Sequence, residues 1–204
     1  MHLIRTLAWL ISGVYATIPL FWLIIHPFAD RWRKRVRAPL KVVTPIWILL
    51  WIVAWIATYS WRDISLLPHP YREAIGWGFS GLDWISLTAI PFWLVTLFIY
   101  STSSRHFSLN QVIGRTELES DRHDQVLVTT GLHARIRHPL YLGHLCTMLG
   151  WLALAQTRAV LALLVWAVVT GAFMIRAEDA ELERRFGPAF REYRKRVPAL
   201  FPRI

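Results

Sequence analysis

The sequence predicts an all-α integral membrane protein of about five transmembrane helices with a C-terminal cytoplasmic amphipathic helix. Three observations predict it. Hydrophobic residues fill 55% of 204 positions, more than one domain of this size can bury in a core of its own. They are gathered into runs long enough to cross a bilayer. When those runs are treated as spans, 19 of the 23 Lys and Arg residues fall on one side. Disorder, collagen and coiled coil are excluded by the same composition. Cys146 is the single cysteine, so an intramolecular disulfide and an all-cysteine metal cluster are excluded as well.

Crossing about 30 Å of hydrocarbon takes roughly 20 mainly apolar residues. Leu3 to Ile25, Val42 to Ser60 and Trp84 to Ser101 meet that requirement. Each contains a proline (Pro19, Pro45, Pro91), tolerable in a membrane because neighbouring helices satisfy the freed carbonyls. The first run is too long for a cleaved signal peptide, and no small-residue cleavage site precedes His26. Leu140 to Ala155 and Ala159 to Ile175 are shorter and separated only by Gln156, Thr157 and Arg158, which predicts a tight hairpin. Residues 1–101 thus hold three spans without a motif, and residues 102–204 hold a loop, the hairpin 140–175 and the tail.

Sidedness follows from the positive-inside rule. Asp30 to Lys41 carries six basic residues, Thr102 to Pro139 five, and the tail from Arg176 eight. Arg5, Arg62, Arg72 and Arg158 remain for the other side. The N-terminus is therefore expected outside, with the central loop and tail in the cytoplasm. The net charge of +10 is accounted for by topology, and without a soluble domain to carry a basic face no nucleic-acid partner is expected. Tryptophans 22, 61, 77 and 84 stand at span ends as interfacial anchors. Trp47, Trp51 and Trp55 share one helix face, where packing against a neighbour is expected.

Gly76, Gly78 and Gly81 spell G-x-G-x-x-G. A dinucleotide site needs that motif between a strand and a helix, and here it falls in a loop between spans. Histidines 133, 138 and 144 are five and six residues apart, which does not align them on one helix face, so no metal site is expected. The informative stretch is QVLVTTGLHARIRHPLYLG, residues 125–143. Pro139 suits the first position of a helix. The free N–H groups behind it, with Arg135, Arg137 and His138, form an anion-binding end. Gly143 and Gly150, seven residues apart, keep one helix face thin. In the second stretch, RAEDAELERRFGPAFREYRKRVPALFP, Glu178 and Asp179 stand at the membrane exit, where carboxylates are costly without partners. The hairpin returns Glu178 toward His138 and Tyr141. Beyond it a charged helix is expected to rest Phe186, Phe190 and Tyr193 on lipid, with Arg184 on its solvated face.

These two stretches resemble the membrane methyltransferases of the isoprenylcysteine carboxyl methyltransferase family, which takes in phospholipid N-methyltransferase relatives. The resemblance covers roughly Gln125 to Pro202. It rests on G-x5-R-H-P-x-Y-x-G, present as Gly131, Arg137, His138, Pro139, Tyr141 and Gly143. It rests also on a second motif, present as Glu178, Leu182, Phe186, Gly187, Tyr193 and Val197-Pro198. The resemblance implies S-adenosylmethionine as cofactor, contacted by Gln125, Val126, Leu127 and Val128, by His133, by His138, Pro139, Leu140 and Tyr141, and by Glu178. It also shows departures. Asp179 stands where a second Glu is usual, Phe190 where a Tyr is usual, Gln125 where a His is common and His133 where a Tyr is common. Met174 replaces an arginine that prenylcysteine-methylating members place four residues before the first Glu. The nearest arginine, Arg176, becomes the candidate substrate-binding residue, and the prenylcysteine substrate is doubtful.

The expected activity is methyl transfer from S-adenosylmethionine to a lipophilic small molecule or lipid at the cytoplasmic membrane face. Alternatives are an NADPH-dependent membrane reductase of the sterol reductase type, which is similar around Arg-His-Pro-x-Tyr, and a non-catalytic membrane subunit.

Overall fold

A computed structural model describes residues 1–28, 31, 39–67, 83–103 and 126–201. The glycine motif, Trp77, Gln125 and most of the central loop lie outside the described residues. The elements are α1 (His2–Ile25), a 3-10 turn (His26–Phe28), α2 (Pro39–Thr58), a 3-10 turn (Tyr59–Trp61), α3 (Trp84–Leu87) and α4 (Ala89–Ser103). A 3-10 turn (Gly131–Ala134) then leads into α5 (Pro139–Ala155), α6 (Arg158–Phe186) and α7 (Pro188–Arg196). Among the described residues there is no strand, only an isolated bridge between Ser65 and Thr157.

Among the described residues, four helical stretches are long and apolar enough to cross a membrane: His2–Phe28, Leu40–Trp61, Trp84–Ser103 and Arg158–Phe186, with mean hydropathies of 1.9, 2.0, 1.6 and 2.1. The chain is an all-α, multi-pass membrane protein. Helix α5 has 17 residues and so rises about 25 Å, short of the hydrocarbon thickness. The hairpin is tighter than the expected three-residue connection, since Arg158 already belongs to α6 and only Gln156 and Thr157 join the helices. Gln156 turns the chain with φ 49°, a conformation an L-residue adopts only where its surroundings hold it.

Its surroundings do hold it. The Gln156 carboxamide donates to both oxygens of Asp83, at 2.7 and 2.8 Å. Asp83 in turn caps α3 by accepting from the Ser86 N–H at 2.8 Å. The Leu66 N–H donates to the Gln156 carbonyl and the Arg158 N–H to that of Ile64. All of these residues fall in the first of two compact units, made of Met1–Ile18, Leu49–Leu97 and Gly143–Val169.

The core of this unit contains Trp9, Ala16, Met148, Ala159, Leu163 and Leu164. Tryptophans pack here through their polar edges as well as their faces. Trp9 donates to the Thr58 hydroxyl at 2.8 Å and Trp55 to the Leu10 carbonyl at 3.1 Å. The Thr147 hydroxyl donates to the Gly143 carbonyl at 2.9 Å, and the Thr96 hydroxyl reaches the same oxygen at 3.2 Å. Small and hydroxyl residues of this kind let membrane helices approach closely. Gly13 and Gly150 are clear cases, because a Cβ at either would run into an indole, that of Trp55 or of Trp93. Gly150→Ala should destabilise the detergent-solubilised protein by about 1–3 kcal/mol, the usual range for overpacking. Thermal unfolding checks this, and an unchanged midpoint would show that Trp93 moves aside freely.

The second unit comprises Pro19–Ile48, Phe98–Leu142 and Thr170–Ile204, and the candidate site lies within it. Helix α6 runs unbroken for 29 residues, about 43 Å at 1.5 Å per residue. Gly187 ends it at φ 55°, a backbone value that favours glycine, and Pro188 opens α7 at once. The aromatic face of α7 does not rest on lipid as the sequence led us to expect. Phe190 is fully buried and Tyr193 nearly so, packed with Val197 against Leu127, Leu182 and Phe186. Protein contacts outcompete the membrane surface here because the segment after Gly187 doubles back.

Candidate functional site

The site is built on the loop before α5 and the last turns of α6. Helix α5 begins at Pro139, whose missing N–H leaves nothing unsatisfied at a helix start. The two residues before it are held by the tail: the Arg137 N–H donates to the Pro198 carbonyl at 2.9 Å and the His138 N–H to that of Ala199 at 3.0 Å. Arg137 adds side-chain bonds. Its guanidinium donates to the Val197 carbonyl and, at 2.7 Å, to Asp179 Oδ2. The Tyr193 hydroxyl donates to the His133 carbonyl at 2.6 Å. Burial pushes that phenol up to about 12, so it stays a donor. The His133 ring nitrogen Nδ1 lies 3.1 Å from the Arg137 carbonyl.

His138 sits between two carboxylates. Nε2 is 3.0 Å from Asp179 Oδ1, and Nδ1 is 3.2 Å from Glu178 Oε2. Burial disfavours the charged imidazole, but Glu178 and Asp179 prevail and raise it to about 9. His138 is therefore an imidazolium at neutral pH. With Arg137 it gives two positive charges facing two negative ones, so the cluster is neutral overall and its burial is tolerable. Tyr141 stacks on His138 with centroids 5.6 Å apart and lies within hydrogen-bonding reach of Glu178.

The two carboxylates differ. Asp179 is spent on Arg137 and His138. Glu178 Oε2 is buried, and among the described residues no hydrogen bond of good geometry reaches it, although His138 Nδ1 is close enough for an ion pair. A buried carboxylate oxygen with spare acceptor capacity suits a ligand cation or hydroxyl.

The structure thus brings His138, Pro139, Tyr141 and Glu178 together, with Leu140 beside them and His133 one contact away. Leu127 packs under α7, whereas Val126 is 78% exposed. Arg176 is exposed, and on an unbroken helix it points roughly 200° away from Met174, which is buried. Arg184 is exposed, as expected, and from that face it bridges Glu181 at 2.8 Å and reaches the His26 carbonyl at 3.4 Å. Sequence reasoning missed three participants. Arg137 and Asp179 appear in the motifs, but nothing local reveals that they hold the tail. His26, from the end of the first span, carries no motif at all.

The chain is thus a multi-pass membrane protein that gathers paired charges where its helical hairpin ends. The phospholipid methyltransferase family model matches residues 84–189, and the chain belongs to that family. It is 42% identical over 86 residues to the cobalt-zinc-cadmium resistance protein CzcN of Cupriavidus metallidurans, covering 42% of this chain and 39% of that one. It is 32% identical over 108 residues to the protein-S-isoprenylcysteine O-methyltransferase of Schizosaccharomyces pombe, covering 52% and 45%. Similarity to methanethiol S-methyltransferase 2 of Bradyrhizobium diazoefficiens is 28% identity over 192 residues, 88% of this chain and 66% of that one. The chain therefore spans from about two fifths to about two thirds of the length of these relatives. No solved structure matches it.

Proposed function

We propose that the protein transfers methyl groups from S-adenosylmethionine to a lipophilic small molecule or lipid at the cytoplasmic membrane face. The observation that carries this reading is the buried, under-bonded Glu178 oxygen beside an imidazolium at the start of α5. The residues fit the cofactor. Glu178 would accept from its ammonium or ribose hydroxyls, and the first-turn N–H groups after Pro139, with the charged His138, would hold its carboxylate. Tyr141 and Leu140 offer an aromatic and an apolar surface to the adenine. Gln125, Val126, Leu127, Val128 and His133 complete the assigned contacts, making residues 102–204 the cofactor-binding half. When bound, S-adenosylmethionine supplies an electrophilic methyl on a sulfonium. The protein's part is to hold an acceptor in line with it and keep water out, work that proximity and desolvation accomplish without a dedicated acid. Arg176, exposed on the flank of α6, is assigned to the substrate side.

Family membership and two methyltransferases among the relatives favour this reading over NADPH-dependent reduction. Calorimetry of purified protein should give binding heat with S-adenosylhomocysteine and none with NADPH. The opposite pattern would replace the methyltransferase by a reductase, and silence with both would leave a non-catalytic subunit. We further propose that the N-terminus is outside and the C-terminus cytoplasmic, which places the site where the cofactor is made. Reporter fusions at the C-terminus should be active in the cytoplasm, and periplasmic or luminal activity there would reverse the topology.

A further inference from the structure

We infer that His26 is the base that takes the proton from a lipophilic thiol methylated at this site. The inference rests on the methyltransferase reading and adds to it a residue and a substrate class. His26 lies outside the segment that the family model matches. It closes the first span in the 3-10 turn His26–Phe28 and is 1% exposed. A titratable side chain buried at the end of a span is a functional candidate by its cost alone. Its surroundings make it a specific one.

On one side the ring stacks on Trp22, with centroids 5.0 Å apart and planes 17° from parallel. Trp22 borders an apolar cluster of Phe21, Ile25, Val43 and Trp47, in which Phe21 and Trp47 approach to 4.7 Å. The ring also feels the charges of Glu178, Glu181, Arg185 and His138. Its backbone is tethered too, since the Arg184 guanidinium donates to the His26 carbonyl at 3.4 Å while bridging Glu181. His26 is thus an imidazole stacked on an aromatic side chain and within electrostatic range of the charged cluster assigned to the cofactor.

This placement selects the acceptor. A lipophilic body laid on the aromatic wall would present its nucleophile to His26. An ammonium or carboxylate there would have to be desolvated, and Met174, buried on α6, offers no cation. A hydroxyl would lose strong hydrogen bonds to water. A thiol loses least, because S–H is a weak donor, but its thiolate is the attacking form, so it needs a base. The step balances. A bond forms between the acceptor sulfur and the methyl carbon as the methyl–sulfonium bond breaks, leaving its electron pair on the cofactor sulfur. The thiol proton passes to the His26 imidazole and then to water.

The test pairs two acceptors of different acidity, dodecanethiol and p-octylthiophenol, at a mildly alkaline pH where only the thiophenol is already ionised. His26→Phe and His26→Gln should slow methyl transfer from labelled S-adenosylmethionine to dodecanethiol by about 100-fold or more, the range for a lost general base. Transfer to the thiophenol should fall less than about fivefold, because it brings no proton to remove. Calorimetric affinity for S-adenosylhomocysteine should stay within about threefold of the unmodified protein's, as expected for a residue that does not bind the cofactor. Equal losses on both acceptors, no loss on either, or a lost cofactor affinity would each overturn the role of His26. A native protein that binds S-adenosylhomocysteine yet methylates neither thiol would overturn it too, leaving the methyltransferase reading intact. Absence of that binding in the native protein would instead sink the methyltransferase reading, and this inference with it.

Discussion

Arg137→Ala should destabilise the protein by about 3–5 kcal/mol, the cost of leaving one member of a buried ion pair alone. Its side chain and that of Asp179 are 8% and 7% exposed, so water cannot take over. The same change removes the donor that the Val197 carbonyl uses and loosens the tail from the loop before α5. Equilibrium unfolding in detergent measures the effect. Asp179→Ala should cost a similar amount, and the double variant less than the sum, because both single changes break one interaction. Strict additivity would show that the pair is not energetically coupled.

Glu178→Gln should weaken S-adenosylhomocysteine binding by about 1.5–3 kcal/mol, the worth of a hydrogen bond to a charged group, or roughly 10- to 150-fold in affinity. The folded fraction should not change, since Glu178 spends less of its bonding capacity on the protein than Asp179 does. Lys195→Ala serves as the control, its side chain being 76% exposed and paired only loosely with Glu192 at 3.7 Å. Unchanged affinity in Glu178→Gln would place this carboxylate outside the pocket.

The spans and the hairpin were legible because apolar run length is a local property, and so was the convergence of His138 with Glu178, which follows once two helices are joined by so short a turn. The tail was only half legible. Its amphipathic pattern is plain, but the pattern cannot say whether Phe190 and Tyr193 meet lipid or protein. That depends on Gly187 turning the chain back and on carbonyls of residues 197–199 finding N–H groups some 60 positions earlier. Arg184 was read as a solvated charge and is exposed, but its contact with the His26 carbonyl, 158 residues away in sequence, was not legible. His26 was not legible either: its stack on Trp22, one turn earlier, is local, but a lone histidine at a span end means nothing until tertiary structure brings the charge of Glu178 within range of it.

The unbroken run of α6 ties the chemistry to the dimensions of the host membrane. Glu178 lies twenty residues beyond Arg158, a rise of about 30 Å, which equals a typical hydrocarbon thickness. On the proposed topology the helix would work as a ruler that holds the carboxylates near one membrane surface. In a bilayer made thicker by longer acyl chains or sterols, the ruler falls short and Glu178 is drawn below the headgroups. In a thinner one it must tilt. Acyl-chain length thus becomes a variable of the proposed site, and the lipid composition used for reconstitution belongs among the assay conditions alongside pH and salt.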